Sequence, residues 1–426
     1  KRSFSDGVIV FSPVTHHRHD GVTKEYDCWC LFVSAAERLR STINCPFNGS
    51  LGSIGQSLTY QSIQYLGDDF WRTIEKYRLL VVFDEIHHCS GDEPDRANIW
   101  GQQILARIQG VATYTLALSG TPWRSDKFPI VLAEYSDPEG KLFCDYQYGL
   151  AEAIADKVCR KPKLVLVDNE HLTISEGSEK KSFASILELL KQSKTSYQDV
   201  IHNTQAMEYI LGLGCQKLSE IRKESFNAGG LVVSSSVKHA KQVQKILTEK
   251  FGQSATLVTY HHDDPQSEIK AYQTGTTQWI VSVGMISEGT DIPRLQVCCH
   301  ISAVKTELYF RQVLGRILRV NESPNQQAWL YTFAEQNLIE YAERIEHDIP
   351  ETCLFAKIVK DEYVTHLQAT NQSGEVESEP KKTIKSYSQL EWGTHSKQSN
   401  SGRGFDDIYD EIWLGQFRER VVSAFL

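Results

Sequence analysis

Asp84 and Glu85 stand side by side at the end of an apolar run, in Val81-Val-Phe-Asp-Glu-Ile-His-His88. Leu79 to Phe83 reads as a short buried strand. Its carboxyl end is where open α/β sheets bind ligands. Two adjacent carboxylates there suit a magnesium nucleotide. One holds Mg²⁺, and its neighbour polarises the water that attacks a γ-phosphate. The same pair would also serve as an acidic turn after an ordinary strand.

Further residues of reactive type follow in order. Leu118-Ser-Gly-Thr-Pro122 puts two hydroxyls, Ser119 and Thr121, at the end of another strand-like run. Met285-Ile-Ser-Glu-Gly-Thr-Asp-Ile-Pro293 reads as a turn after the strand-like residues 278–283. In Gln312-Val-Leu-Gly-Arg-Ile-Leu-Arg319 the polar residues fall at i, i+4 and i+7, which on a helix is one face. Two guanidiniums on one face form a fork suited to phosphate oxygens, or else a solvated surface. His16-His17-Arg18-His19 has no acidic or cysteine partner at metal-ligand spacing nearby, and His261-His262-Asp263-Asp264 follows a strand where a polar loop is expected, so both read as polar loops. Trp100 and Trp123, flanking the acidic and hydroxyl segments, read as packing anchors rather than base-stacking platforms.

These residues need a scaffold, and the chain has the composition for one. It is 426 residues long, 41% hydrophobic and 23% charged, as expected of a soluble protein with two or three domains. No apolar run is long enough for a transmembrane helix, and the ten scattered cysteines fit free thiols in a reducing cytoplasm. Net charge is −9, but nucleic-acid binding depends on where basic residues gather rather than on their sum. Between residues 1 and 150 short apolar runs alternate with helical stretches, including Ala35–Arg40. A second alternating set spans 214–345. Strand alternating with helix predicts two parallel sheets covered by helices. Residues 151–213 read as a helical connector despite the strand-like Lys163–Asp168. Residues 346–426 read as a C-terminal extension, with a flexible segment at 371–402 and helical periodicity from Phe405.

In this order the segments resemble a superfamily 2 helicase or translocase of the DEAD/DEAH-box type. The chain is most similar to the motor subunits of type I and type III restriction enzymes. Asp84-Glu85-Ile86-His87 matches motif II, Ser119–Pro122 motif III, Ser287–Pro293 motif V and Gln312–Arg319 motif VI. Ser12-Pro13 resembles motif Ia, Thr59-Tyr60-Gln61 motif Ic, and Val232–Ser236 motif IV. The likeness covers about residues 7–335 and implies two tandem RecA-like domains, with ATP between them and nucleic acid crossing both.

Roles carry over by position. The resemblance implies that Asp84 holds Mg²⁺ and Glu85 orients the water. His87 and Gln312 link ATP state to domain closure. Arg316 and Arg319 act as arginine fingers, Gly289 and Asp291 lie near the ribose and γ-phosphate, and Ser119 and Thr121 couple hydrolysis to the track. Pro13, Thr59, Tyr60, Ser234 and Thr290 lie on that track, holding a strand by its phosphates. DNA is the implied substrate, with a nuclease or specificity subunit as possible partner. No nuclease-type acidic cluster with lysine follows residue 345.

One family element is missing. No G-x-x-x-x-G-K-[ST] phosphate loop occurs, and the only Gly-Lys pair, Gly140-Lys141, lacks its context. By position the loop is expected upstream of residue 1. The alternative is a nucleic-acid-binding or scaffold module that works without ATP. Lacking the loop, these residues alone are expected to show little or no ATPase.

Overall fold

The computed structural model describes residues 7–12, 55–91, 97–124, 126, 128–136, 140–176, 179–259, 264–284, 290–345 and 412–423. Pro13, His16–His19, Ala35–Arg40, His261–Asp263, Gly289 and the segment 371–402 lie outside them. The chain divides into two compact units, residues 1–146 with 349–391, and residues 147–348 with 392–426.

The first unit is built on four parallel strands, β1 (Gly7–Ser12), β2 (Gly55–Thr59), β3 (Leu79–Phe83) and β4 (Tyr114–Ala117), in the order β2-β1-β3-β4. Val81, Val82 and Phe83 are fully or almost fully buried, so the unbroken apolar run marks an interior strand. Helices Asp68–Lys76 and Ile99–Arg107 bring Trp71, Ile74 and Ile104 onto this core. Asn98 caps the second helix: its side chain accepts from the Gly101 N–H and donates to the His88 carbonyl, at 2.8 and 2.7 Å. Because all four strands are parallel, Thr59, Asp84 and Leu118 emerge along one edge of the sheet.

The second unit holds a seven-stranded sheet. Its strands are β5 (Pro162–Asn169), β8 (Gly229–Ser234), β9 (Ala255–Val258), β10 (Trp279–Ser282), β11 (Leu295–Ile301), β12 (Ala328–Phe333) and β14 (Phe417–Ser423). Their order is β14-β5-β12-β11-β8-β10-β9, parallel except for β14, which runs antiparallel to β5. A small antiparallel sheet joins β6 (Leu172–Glu176), β7 (Glu179–Phe183) and β13 (Ile412–Leu414). The α/β class and the parallel sheets of both units agree with the sequence reading.

Two expectations are corrected. Residues 151–213 are not a helical connector, because β5 pairs with β12 from Pro162 to Val167 and belongs to the second unit's core. The residues after 411 are not helical within the described part. Arg418, Glu419 and Arg420 lie on a strand that pairs with the outer edge of β5, where charged side chains are compatible with edge exposure. Tyr209 stacks on Phe417 at 4.1 Å, and Asn203 donates to the Ile412 carbonyl at 3.1 Å.

Gly230 shows how closely this sheet is packed. It pairs with Trp279, whose fully buried indole would lie 2.5 Å from a Cβ at position 230. Gly230→Ala is therefore expected to cost about 1–3 kcal/mol by overpacking. That is a fall in Tm of roughly 3–10 °C in thermal denaturation, and an unchanged Tm would refute the account.

Candidate nucleotide and nucleic-acid site

In the first unit the backbone fixes the acidic pair. The Asp84 N–H donates to the Phe11 carbonyl at 2.9 Å and the Ile86 N–H to the Leu118 carbonyl at 3.0 Å. Between them Glu85 adopts a left-handed conformation, φ 50°, which turns the chain sharply from β3 into the short helical turn Ile86–His88. A carboxylate residue in that region is strained, and such strain gathers at functional sites. His87 is buried, with Nδ1 2.9 Å from Ser119 Oγ and 3.3 Å from a Glu85 carboxylate oxygen. Ser119 Oγ also accepts from the Thr121 N–H at 3.1 Å. Glu85, His87, Ser119 and Thr121 thus form one connected polar chain from the acidic box to the hydroxyl segment. Arg124 closes it from behind, donating to the His87 carbonyl at 2.5 Å while paired with Asp126.

Asp84 is pushed up to about 6, first by burial and second by the Glu85 charge. Among the described residues no three His, Cys, Asp or Glu side chains gather as a metal cage. A cation at Asp84 would then have one or two carboxylates and draw its other ligands from water and phosphate, a donor set that fits Mg²⁺. The sign of the pH effect follows. The folded chain keeps the Asp84 proton between about pH 4 and 6 where the unfolded chain has lost it, so stability falls as pH rises through that window. Mg²⁺ affinity should rise over the same window, as titration calorimetry from pH 5 to 7 can check. Asp84→Asn should abolish that rise and, discounted for partial exposure, add on the order of 1 kcal/mol at pH 7. A pH-independent affinity in the native protein would contradict this.

In the second unit, helix Glu307–Ile317 starts at Thr306, whose hydroxyl accepts from the Tyr309 N–H at 3.3 Å. Its apolar face buries Phe310, Val313, Leu314 and Ile317, while Gln312 and Arg316 share the partly exposed face. Arg316 Nη1 donates to the Thr290 carbonyl at 2.6 Å, and Arg319 is ion-paired with Asp291. The expected single helical face of three residues is corrected here. The helix ends at Ile317 with Leu318 as its cap, and Arg319 lies beyond it, bridged through its backbone to Cys159.

The expected track residues fare unevenly. Thr59 is partly exposed at the end of β2. Tyr60, Ser234 and Thr290 are instead buried, at 0%, 2% and 7% exposure, so their side chains are not surface contacts. Tyr60 stacks between Phe11 and Trp100 at 6.3 and 5.7 Å, and its hydroxyl donates to the Asp84 carbonyl at 2.7 Å. Trp100 packs as anticipated.

Sequence reasoning missed two features. His202 and His239 bracket Ser235, with nitrogens 2.7 and 2.9 Å from its hydroxyl. Burial lowers these imidazoles to about 4 and about 3, so the pair is neutral at physiological pH. Arg160 is the other: it stands in what reads as an ordinary basic run, yet is 1% exposed.

Residues 214–321, which carry the β8 end, the Thr290–Pro293 segment and the Arg316 helix, match the family model for the helicase conserved C-terminal domain. The chain thus carries a segment similar to the C-terminal domain of helicases. It is 34% identical over 280 residues to the uncharacterized protein Rv2917 of Mycobacterium tuberculosis, covering 64% of this chain and 45% of that one. It is 24% identical over 269 residues to the DNA 3'-5' translocase XPB2 of Sulfurisphaera tokodaii, covering 56% and 55% of the two chains. A solved fragment assigned to an HsdR subunit of a type I restriction enzyme from Vibrio vulnificus YJ016 aligns at TM-score 0.46 and 15% identity. That alignment covers 81% of this chain and 56% of the fragment. The chain spans less than half the length of the mycobacterial relative that it matches. Among the described residues no helix is long and apolar enough to cross a membrane.

Proposed function

We propose that the protein is a nucleic-acid-dependent ATPase that moves along DNA. The observation that carries this reading is the acidic pair at the carboxyl end of β3, tied through His87 to Ser119 and Thr121, in a chain that also bears a helicase C-terminal domain. Asp84 would hold Mg²⁺, which neutralises phosphate charge when bound. Glu85, its carboxylate beside His87, is the base that orients the attacking water. Arg316 and Arg319 supply positive charge for the transition state, exchanging their present contacts with Thr290 and Asp291 for phosphate oxygens. Ser119 and Thr121 pass a change at Glu85 to the edge of the sheet, where Thr59 lies. The strand would be held through phosphates, so binding weakens steeply with salt.

The triphosphate grip is not among these residues, which contain no phosphate loop. We place it elsewhere in the full-length protein. The test is ATP hydrolysis by that protein with and without duplex DNA, beside displacement of a DNA triplex. DNA-stimulated hydrolysis with triplex displacement is expected. DNA binding with no hydrolysis would support an ATP-independent clamp instead.

A further inference from the structure

We propose that Arg160 is a positioning residue that joins the Thr290–Leu295 segment to the end of the Arg316 helix and so sets where Arg316 and Arg319 stand. Its guanidinium makes five hydrogen bonds. Nε donates to Gln326 Oε1 at 3.0 Å. Nη1 donates to the carbonyls of Leu295 and Ile317 at 2.6 and 3.2 Å. Nη2 donates to the Pro293 carbonyl and Asn321 Oδ1, both at 3.0 Å. A guanidinium has five N–H donors, and each is used.

All five partners are neutral. Burying a cation without a carboxylate is costly, and burial lowers Arg160 to about 10, which still leaves it charged at neutral pH. Carbonyl dipoles converging on a planar fork offset that cost, which the three donors of a lysine ammonium do not reproduce. The placement of the partners gives the arrangement its meaning. Pro293 and Leu295 end the segment that begins with Thr290 and Asp291. Ile317 is the last residue of the helix that bears Arg316, and Asn321 lies two residues past Arg319. The backbone adds to the joint: the Arg160 N–H donates to the Leu318 carbonyl at 2.6 Å, and Cys159 bridges to Arg319.

The two segments are therefore tied twice. Outside, Arg316 and Arg319 reach Thr290 and Asp291; inside, Arg160 spans both segments. The outer ties are those that a phosphate would replace. Arg160 then keeps the segments in register while its two neighbours change partners.

The kinetic part of this proposal rests on the ATPase reading, whereas the structural part does not. The test compares Arg160→Lys and Arg160→Gln with the native full-length protein. Arg160→Lys retains the charge and loses the fork, so it serves if Arg160→Gln does not fold. Amide hydrogen exchange at residues 290–295 and 315–321 should quicken about tenfold, with β8 and β10 unchanged. No change, or a uniform rise across the sheet, overturns the proposal. In the ATPase assay Arg160→Lys should lower kcat about 10- to 100-fold while KM for ATP stays within about twofold. Added to the double variant Arg316→Ala/Arg319→Ala it should cause no further loss, because Arg160 acts only through those two charges. Fully additive losses overturn it. If the native protein hydrolyses no ATP, the ATPase reading fails and the exchange result alone decides the role of Arg160.

Discussion

Arg316→Ala in the full-length protein is expected to lower DNA-stimulated ATP hydrolysis by about 10³-fold or more. The loss should fall on kcat, because a charge that acts on the transferring phosphoryl group stabilises the transition state more than the bound nucleotide. Arg316→Lys should recover little of it, since a point charge does not reproduce a planar fork. The fold should hardly notice. Among its contacts the side chain gives up the hydrogen bond to the Thr290 carbonyl, worth about 1 kcal/mol or somewhat more. Steady-state kinetics at saturating DNA, with a thermal melt of the same samples, separates the two effects. A loss smaller than tenfold with an intact fold would remove Arg316 from the catalytic machinery.

Deleting residues 412–426 is expected to destabilise the second unit on the order of 5 kcal/mol. The estimate counts the buried Ile412 and the partly buried Leu414, Phe417 and Val422, which pack on its main core. The ladder from Phe417 to Ser423 against β5 is lost with them, as are the Tyr209–Phe417 stack and the Arg418 pairs with Asp168 and Glu170. For a unit of this size the fall in Tm is roughly 10–20 °C. Calorimetry of the shortened protein measures it. A second-unit transition within two or three degrees of the native one would mean that β13 and β14 are ornaments. Arg420→Glu, which only reverses the exposed pair with Glu343, should shift the Tm by little, since such pairs contribute about 0–1 kcal/mol.

The sequence was most legible where one residue type has few structural outlets. Leu79–Phe83 is uninterrupted and apolar, so it had to be an interior strand, and the acids after it had to lie on the sheet edge. The helix of Arg316 announced itself through its period. Long-range pairing was not legible. Leu164–Val167 reads as a strand, but its partner, Ala328–Phe333, lies some 160 residues away, and nothing local says that the two meet. Phe417–Ser423 reads as helical because Arg418, Glu419 and Arg420 suit a helix in isolation; the open edge of β5, together with the β-branched Val421 and Val422, makes it a strand.

Among site residues the errors share one cause. Tyr60 and Ser234 carry hydroxyls at strand ends, where track residues are expected, yet both side chains turn inward. Tyr60 spends its hydroxyl on the Asp84 carbonyl. Arg160 failed in the opposite sense, since a basic run with adjoining lysines looks solvated, and its five acceptors come from residues 293 to 326. The direction of a side chain is a tertiary property, and residue type records only what it can bond.

The place of β14 also sets a timetable. Strand β5 leaves the ribosome about 250 residues before the strand that covers its outer edge, and at ~5–20 residues per second that interval is tens of seconds. During it, β5 can pair with β12 but shows an open, apolar edge to its surroundings. The second unit is therefore a late-closing sheet of high contact order, exposed to strand mispairing until residue 423 is free. Slowing translation between residues 345 and 412 should lengthen that exposure and raise the aggregated fraction, while leaving the finished protein's stability untouched.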